Sequence, residues 1–248
     1  MIKAIFLDFY GTVVHEDGAI IKDISKRIYN TGKVKDISEI GSFWWKEFCD
    51  LFEISFGETF QTQRELEFQS LKKTIEHFQS TENAYELSKL MFEHWIAPPI
   101  FEDSIEFFNN SPIPICIVSN IDTDDVKKAL DYHNLKPQCI VTSEDAKSYK
   151  PRKEIFKYAL DKMNLSANEV VHIGDSLSSD VEGAKRLGIN TIWINRKQND
   201  IPEGIGTTVT NLLEVFNKEI IKGVYNENTE KESSYSSFTT YFNNTNRV

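Results

Sequence analysis

The chain has 248 residues, a formal net charge of -10 and 40% hydrophobic residues, enough for one large domain or for a core with an insertion. So acidic a balance excludes a general nucleic-acid or anionic-membrane binder, which needs clustered Lys and Arg. Cys49, Cys116 and Cys139 are odd in number and lack CxxC spacing, so they indicate neither a disulfide framework nor a zinc site and read as core filler.

In chain order, Lys3-Ala-Ile-Phe-Leu-Asp8 is an apolar run that stops on a carboxylate and is followed by Tyr10, Gly11 and Thr12. Such a run fits an interior strand of a parallel sheet, whose carboxyl end is where open α/β sheets bind ligands. From Val13 to Ile21 apolar residues flank Asp17-Gly18, which predicts a short hairpin forming a flap over Asp8. Between about Ile20 and His94 apolar residues recur at three and four, as in Leu66, Leu71, Ile75 and Phe78, then Leu87, Leu90, Met91 and Trp95. Four amphipathic helices follow from that period. Ala97-Pro98-Pro99 ends the pattern and marks a hinge or boundary.

Beyond it, strands are predicted at Ile113 to Val118, Cys139 to Val141, Val170 to Ile173 and Thr191 to Ile194. Helices are predicted at about Asp122 to His133, Lys153 to Met163 and Leu177 to Leu187. This alternation implies a parallel sheet with crossover helices, interrupted after its first strand by the helical insertion. The division is an α/β core over 1–15 and 100–224, a helical cap over 16–99 and a polar tail over 225–248. No apolar run reaches the ~18 residues of a membrane span and the first strand begins almost at once, so a cytoplasmic protein is expected.

Three further segments carry reactive groups: Ser119-Asn120 after a strand, Lys150-Pro151 before a helix, and Gly174-Asp175 followed by Asp180. Each alone is common in caps, turns and solvated surfaces. Together, in this order, they resemble the haloacid dehalogenase superfamily: Asp8 to Thr12 is similar to its first motif, Ser119 to the second, Lys150 to the third, and Gly174-Asp175 with Asp180 to the fourth. The segment from Ile192 to Arg196 also fits the family's fifth strand. The resemblance implies a Rossmann-like sheet core and a helical cap at the family's first insertion site.

It also implies that Asp8 is the nucleophile, dividing hydrolysis into formation and breakdown of a covalent intermediate. Mg²⁺, a hard cation that takes oxygen ligands, would be held by Asp8, the Tyr10 backbone carbonyl and Asp175, with Asp180 as ligand or close support. Lys150 would offset the gathered negative charge, and Ser119, Asn120 and the loop of Gly11 and Thr12 would hold the phosphoryl group. A small phosphomonoester is the implied substrate, and a monomer or homodimer the expected assembly. Tyr10 stands where family phosphatases carry a second aspartate. A phenol, with a pKa near ~10, is a poor base near neutrality. Tyrosine there is similar instead to the 2-haloacid dehalogenases, which need no metal, although the acidic fourth motif resembles the phosphatase form and neither Arg27 nor Arg64 matches the dehalogenases' halide-binding arginine. A weakly catalytic metal- and phosphate-binding protein is a third reading, and phosphonate cleavage through Lys46, Lys72 or Lys73 a fourth.

His15, Glu16 and Asp17 in the expected flap are candidates for a missing base. Phe43, Trp44, Trp45, Phe48, Phe52 and Phe56 read as the cap's own core, with an apolar pocket or dimer surface as the alternative. His77 and His94 have no ligand-like spacing.

Overall fold

In a computed structural model, which describes residues 1–218, six parallel strands form one sheet in the order β3-β2-β1-β4-β5-β6. They are β1 (Ala4–Leu7), β2 (Ile115–Ser119), β3 (Cys139–Thr142), β4 (Val170–Gly174), β5 (Asn190–Ile194) and β6 (Thr207–Val209). The 225–248 tail lies outside the described residues. This is the Rossmann-like α/β arrangement expected, with β6 an addition whose three residues carry too little pattern to read.

β1 is central: Leu7 pairs with Ile117 of β2 on one side and with Ile173 of β4 on the other. The strand order reverses here, so β1, β2 and β4 bring their carboxyl ends to one crevice, the usual ligand site of such sheets. β1, β2 and β4 are buried at every position, which explains their continuous apolar runs.

Four helices separate β1 from the rest: α1 (Gly18–Thr31), α2 (Ile37–Ile54), α3 (Gln63–His77) and α4 (Ala84–Ile96). α2 and α3 open on capping boxes, Asp36 with Glu39 and Thr62 with Glu65, and Asn83 caps α4, each satisfying amides that a helix start leaves free. Ile40, Trp44, Leu71, Leu87, Met91 and Trp95 turn their apolar faces into the principal core.

The hairpin expected at Asp17-Gly18 does not form. The Asp17 carbonyl accepts from the Ile20 and Ile21 amides at 2.8 and 3.0 Å, and α1 starts there. Ile20, Ile24 and Ile28 continue a helical period through fourteen residues, and that long-range burial overrides a two-residue turn signal. The two connections to the helical insertion instead lie side by side: the His15 amide donates to the Pro99 carbonyl at 2.8 Å and the Phe101 amide to the Val13 carbonyl at 3.2 Å.

α5 (Glu102–Asn110), which the sequence reading lacked, leads into β2, and α6 (Thr123–Tyr132) follows it. α7 (Ser143–Ala146) and α8 (Lys153–Met163) join β3 to β4. The expected helix from Leu177 to Leu187 is a π-helical turn, Leu177–Glu182, running into the short α9 (Gly183–Lys185). Cys116 and Cys139 face one another in register on β2 and β3 and are free thiols. No helix among the described residues is long and apolar enough to cross a membrane.

Candidate active site

Asp8 follows the last residue of β1, where its amide donates to the Ile173 carbonyl at 2.9 Å and so carries the sheet's pairing one residue past the strand. Its carboxylate is buried, 6% exposed. Lys150 Nζ reaches Asp8 Oδ1 at 2.6 Å and Asp180 Oδ1 at 2.7 Å, so one ammonium joins the end of β1 to the turn after β4. Asp8 Oδ2 is buried and has no hydrogen-bond partner among the described residues. The carboxylate is therefore fixed in direction by one oxygen and keeps the other bare.

Burial sets the charge balance. It raises the Asp8 pKa to about 6 against the opposing pull of Lys150. Burial together with repulsion from Asp8 and Asp180 raises Asp175 to about 8. Burial also opposes charge on Lys150 and Asp180, but their attraction outweighs it, holding the ammonium above and the Asp180 carboxyl below their ordinary ranges. Both Asp180 oxygens are engaged: Oδ1 by Lys150 and His172, the latter at 2.9 Å, and Oδ2 by the Ser176 amide at 3.1 Å. Asp180 thus positions the lysine.

The acidic residues fit a hard cation. One oxygen each from Asp8, Asp175 and Asp180 lie within 4.8 Å of one another. Asp175 has no ion pair among the described residues, and the Tyr10 carbonyl accepts no hydrogen bond there. Two glycines permit the approach. Gly11, at φ +90°, passes so near Asp175 that a Cβ would lie 2.6 Å from Oδ2, and a Cβ on Gly174 would lie 2.2 Å from Asp180 Cγ. An oxygen-only set with a bare buried oxygen matches the donor preference of Mg²⁺.

The remaining expected residues divide. Ser119, at the end of β2, is buried, and its hydroxyl accepts from the Ile121 amide at 3.2 Å. The Thr12 hydroxyl is buried and, among the described residues, has no partner in hydrogen-bond geometry, although it favours the charged form of Asp8. Asn120 spends its amide elsewhere: Oδ1 accepts from the Lys150 amide at 2.7 Å and Nδ2 donates to the Lys150 carbonyl at 3.2 Å. It clamps the lysine's backbone.

Tyr10 turns away from Asp8. Its hydroxyl donates to the Trp95 carbonyl at the last turn of α4, and burial with nearby Asp125 and Asp17 pushes its pKa far up. The phenol ties the nucleophile loop to the helical insertion. Among the flap candidates, His15 packs on Phe101 and Asp17 accepts from Trp95 Nε1 at 2.9 Å. Glu16 pairs with Lys197 and is near enough to Asp175 to help raise its pKa.

Arg64 makes a two-pronged bond to Asp125, at 2.7 and 2.6 Å, and lies over the Phe92 ring. Arg27 pairs with Asp23 on the surface. Lys46, Lys72 and Lys73 are exposed and paired with Asp50, Glu76 and Glu47. The aromatic residues of α2 do more than fill a core: Trp44, Trp45 and Phe48 line a cavity of about 210 Å³ with Tyr10 and Trp95. His77 stacks on Phe43, and His94 meets the His15 carbonyl at 3.2 Å.

Sequence reasoning missed three residues. His172 sits inside the apolar run of β4 and is buried, its pKa lowered by that burial, so the neutral ring gives its Nε2 proton to Asp180. Asp122 accepts the Gln63 and Arg64 amides at 2.7 and 3.0 Å, holding the start of α3 to the sheet. Tyr149, beside Lys150, donates to the Gln61 carbonyl at 2.7 Å. A polar residue interrupting a buried strand was the available signal for His172.

Comparison with known proteins gives the family and the fold. A family model described as haloacid dehalogenase-like hydrolase matches residues 2–188. The (S)-2-haloacid dehalogenase 4A of Burkholderia cepacia is 24% identical over 207 residues, 80% of this chain and 85% of its own. A pyrimidine 5'-nucleotidase of Escherichia coli strain K12 is 38% identical over 81 residues, 32% of this chain and 34% of its own, so the match spans about a third of that relative. The L-2-haloacid dehalogenase structure from Xanthobacter autotrophicus superposes with a TM-score of 0.69 at 15% identity, covering 87% of this chain and 97% of that one. The magnesium-bound HAD-hydrolase YfnB of Bacillus subtilis gives 0.68 at 19%, covering 89% and 99%. At such identities the superpositions establish the fold.

Proposed function

Because the chain belongs to the haloacid dehalogenase-like hydrolase family, we propose that it is a Mg²⁺-dependent phosphatase of small phosphomonoesters, with α1–α4 as the cap over the site. The observation that carries this reading is the charge imbalance at the strand ends. Three carboxylates, Asp8, Asp175 and Asp180, gather around one ammonium, Lys150, and Asp175 is left without a cation. A dehalogenase working without metal has no use for that third carboxylate. Bound Mg²⁺, held by Asp8, Asp175 and the Tyr10 carbonyl, would supply charge neutralisation for an anionic substrate.

Asp8 attacks phosphorus, forming an aspartyl phosphate as the phosphorus–oxygen bond of the leaving alcohol breaks; water then cleaves the acyl phosphate and restores the carboxylate. Lys150 offsets charge at the attacking oxygen. Ser119 and the Phe9 and Tyr10 amides donate to the phosphoryl oxygens, the Gly11 and Thr12 amides being given to the Val14 and Phe9 carbonyls. The Tyr10 hydroxyl is already donated to Trp95, so protons at the leaving oxygen and the attacking water need another carrier, and Glu16 is the flap candidate whose charge reaches Asp175.

The 2-haloacid dehalogenase reading is favoured by Tyr10 after the nucleophile and by the likeness to the Burkholderia cepacia dehalogenase over 80% of this chain, and opposed by Arg64 and Arg27, both already bound to carboxylates. The weakly catalytic binding reading rests on the same tyrosine. One screen separates the three: phosphate release from phosphomonoesters and halide release from 2-haloacids, each with and without Mg²⁺. The phosphatase reading predicts Mg²⁺-dependent phosphate release. Halide release without metal supports the dehalogenase, and neither product supports the binding protein.

A further inference from the structure

Resting on the phosphatase reading, we propose that the aromatic cavity beside Tyr10 holds an organic ammonium group, so that the preferred substrates are O-phosphorylated amino alcohols. The cavity, about 210 Å³, is bounded by α1 to α4 above and by Tyr10 and Ile121 below. Those two residues follow the strands that present Asp8 and Ser119, which puts the cavity where a leaving group would extend from the phosphoryl site. Its volume is below the ~300–1,000 Å³ of drug-sized pockets and suits a short chain.

Its chemistry is one-sided. Glu67 of α3 lines it, only 7% exposed and in no ion pair among the described residues. Asp17 lines it as well, and Gln63 Oε1 is buried without a partner among the described residues. The wall N–H and O–H groups are already given away: Trp44 Nε1 to Ser70 Oγ at 3.1 Å, Trp95 Nε1 to Asp17 Oδ2 at 2.9 Å, and the Tyr10 hydroxyl to the Trp95 carbonyl. With Glu67 and Asp17 ionised, the lining offers acceptors and aromatic faces apart from the Gln63 amide nitrogen.

No lining residue is a lysine or an arginine, so a second anion has no partner there. Aromatic faces with desolvated carboxylates are the surroundings that attract alkylammonium groups. A carboxylate with so little water and no cation is forced toward its neutral form, and Glu67 is raised to about 8 by burial and then by Asp17, against the pull of the Trp44 N–H. An ammonium beside it relieves that cost. Trp45, 67% exposed at the edge of the cavity, leaves a route in from solvent.

The test has two arms. In the first, propylammonium and 1-propanol are titrated into the protein by calorimetry and tryptophan fluorescence, with no phosphate ester present. Saturable binding of the amine and none of the alcohol is expected; equal or absent binding overturns the proposal, whatever the enzyme's reaction. In the second, kcat/KM with Mg²⁺ is compared for 2-aminoethyl and 3-aminopropyl phosphate against ethyl and propyl phosphate. A preference of at least about tenfold for the amines is expected. Release from both series at equal rates sinks the ammonium site while sparing the phosphatase reading, and release from neither sinks that reading while the binding arm still decides the cavity. Glu67→Gln and Asp17→Asn should each bring the ratio toward one, with thermal melts confirming folding. Retention of the full preference in both variants overturns the assignment.

Discussion

Replacing Tyr10 by phenylalanine removes one hydroxyl and keeps the ring that packs on Phe9 at 5.2 Å. The lost bond runs to the Trp95 carbonyl at the end of α4, one of the carbonyls that a helix terminus cannot satisfy internally. Removing the donor from a buried carbonyl costs ~1–3 kcal/mol rather than the ~1 kcal/mol net value of the bond, so a loss of about 2 kcal/mol is expected. For a chain of this size that lowers Tm by roughly 4–8 °C. Thermal melts would record it, alongside kcat and KM for a phosphomonoester with Mg²⁺. Because the phenol donates away from Asp8 and its pKa is pushed upward, kcat should fall far less than the ~10²–10⁴ that loss of a general acid brings. An unchanged Tm with a hundredfold fall in kcat would refute the reasoning and make Tyr10 an acid in the reaction.

Lys150→Met leaves Asp8 and Asp180 buried without their cation, and urea unfolding without Mg²⁺ should show a loss of ~3–5 kcal/mol; a loss below about 1 kcal/mol would mean that the carboxylates simply take up protons. Gly11→Ala places a Cβ 2.6 Å from Asp175 at a φ of +90°, and the displaced carboxylate should cost about a hundredfold in kcat/KM, whereas near-normal turnover would remove Asp175 from the reaction. Folded Glu67 keeps its proton to about 8, while its ordinary pKa is 4.5. Folding therefore binds a proton between those values, and this residue's contribution to stability falls as pH rises through the window. Glu67→Gln should raise Tm at pH 8 by more than at pH 5; an equal shift at both would mean that the carboxyl is not buried as described.

β1, β2 and β4 were legible because each is a buried apolar run that stops on a reactive residue, and Asp8, Ser119 and Asp175 follow directly from those stops. What escaped was set by distant partners. Nothing near Tyr10 reveals that its hydroxyl ends on Trp95, eighty-five residues away, and nothing near Asn120 reveals that its amide closes on the backbone of Lys150. At Asp17-Gly18 the local signal was real but weak, and the helical period that followed prevailed. His172 interrupts the apolar run of β4, and its ring holds Asp180, and through it Lys150, in place.

The nucleophile itself can be caught. Mixing the protein with a phosphomonoester and Mg²⁺, quenching in acid and sequencing the peptides by mass spectrometry should place a phosphoryl group on Asp8, and Asp8→Asn should abolish both the adduct and phosphate release. Undiminished ester hydrolysis by Asp8→Asn, or alkylation of Asp8 by a 2-haloacid in the absence of metal, would contradict the account.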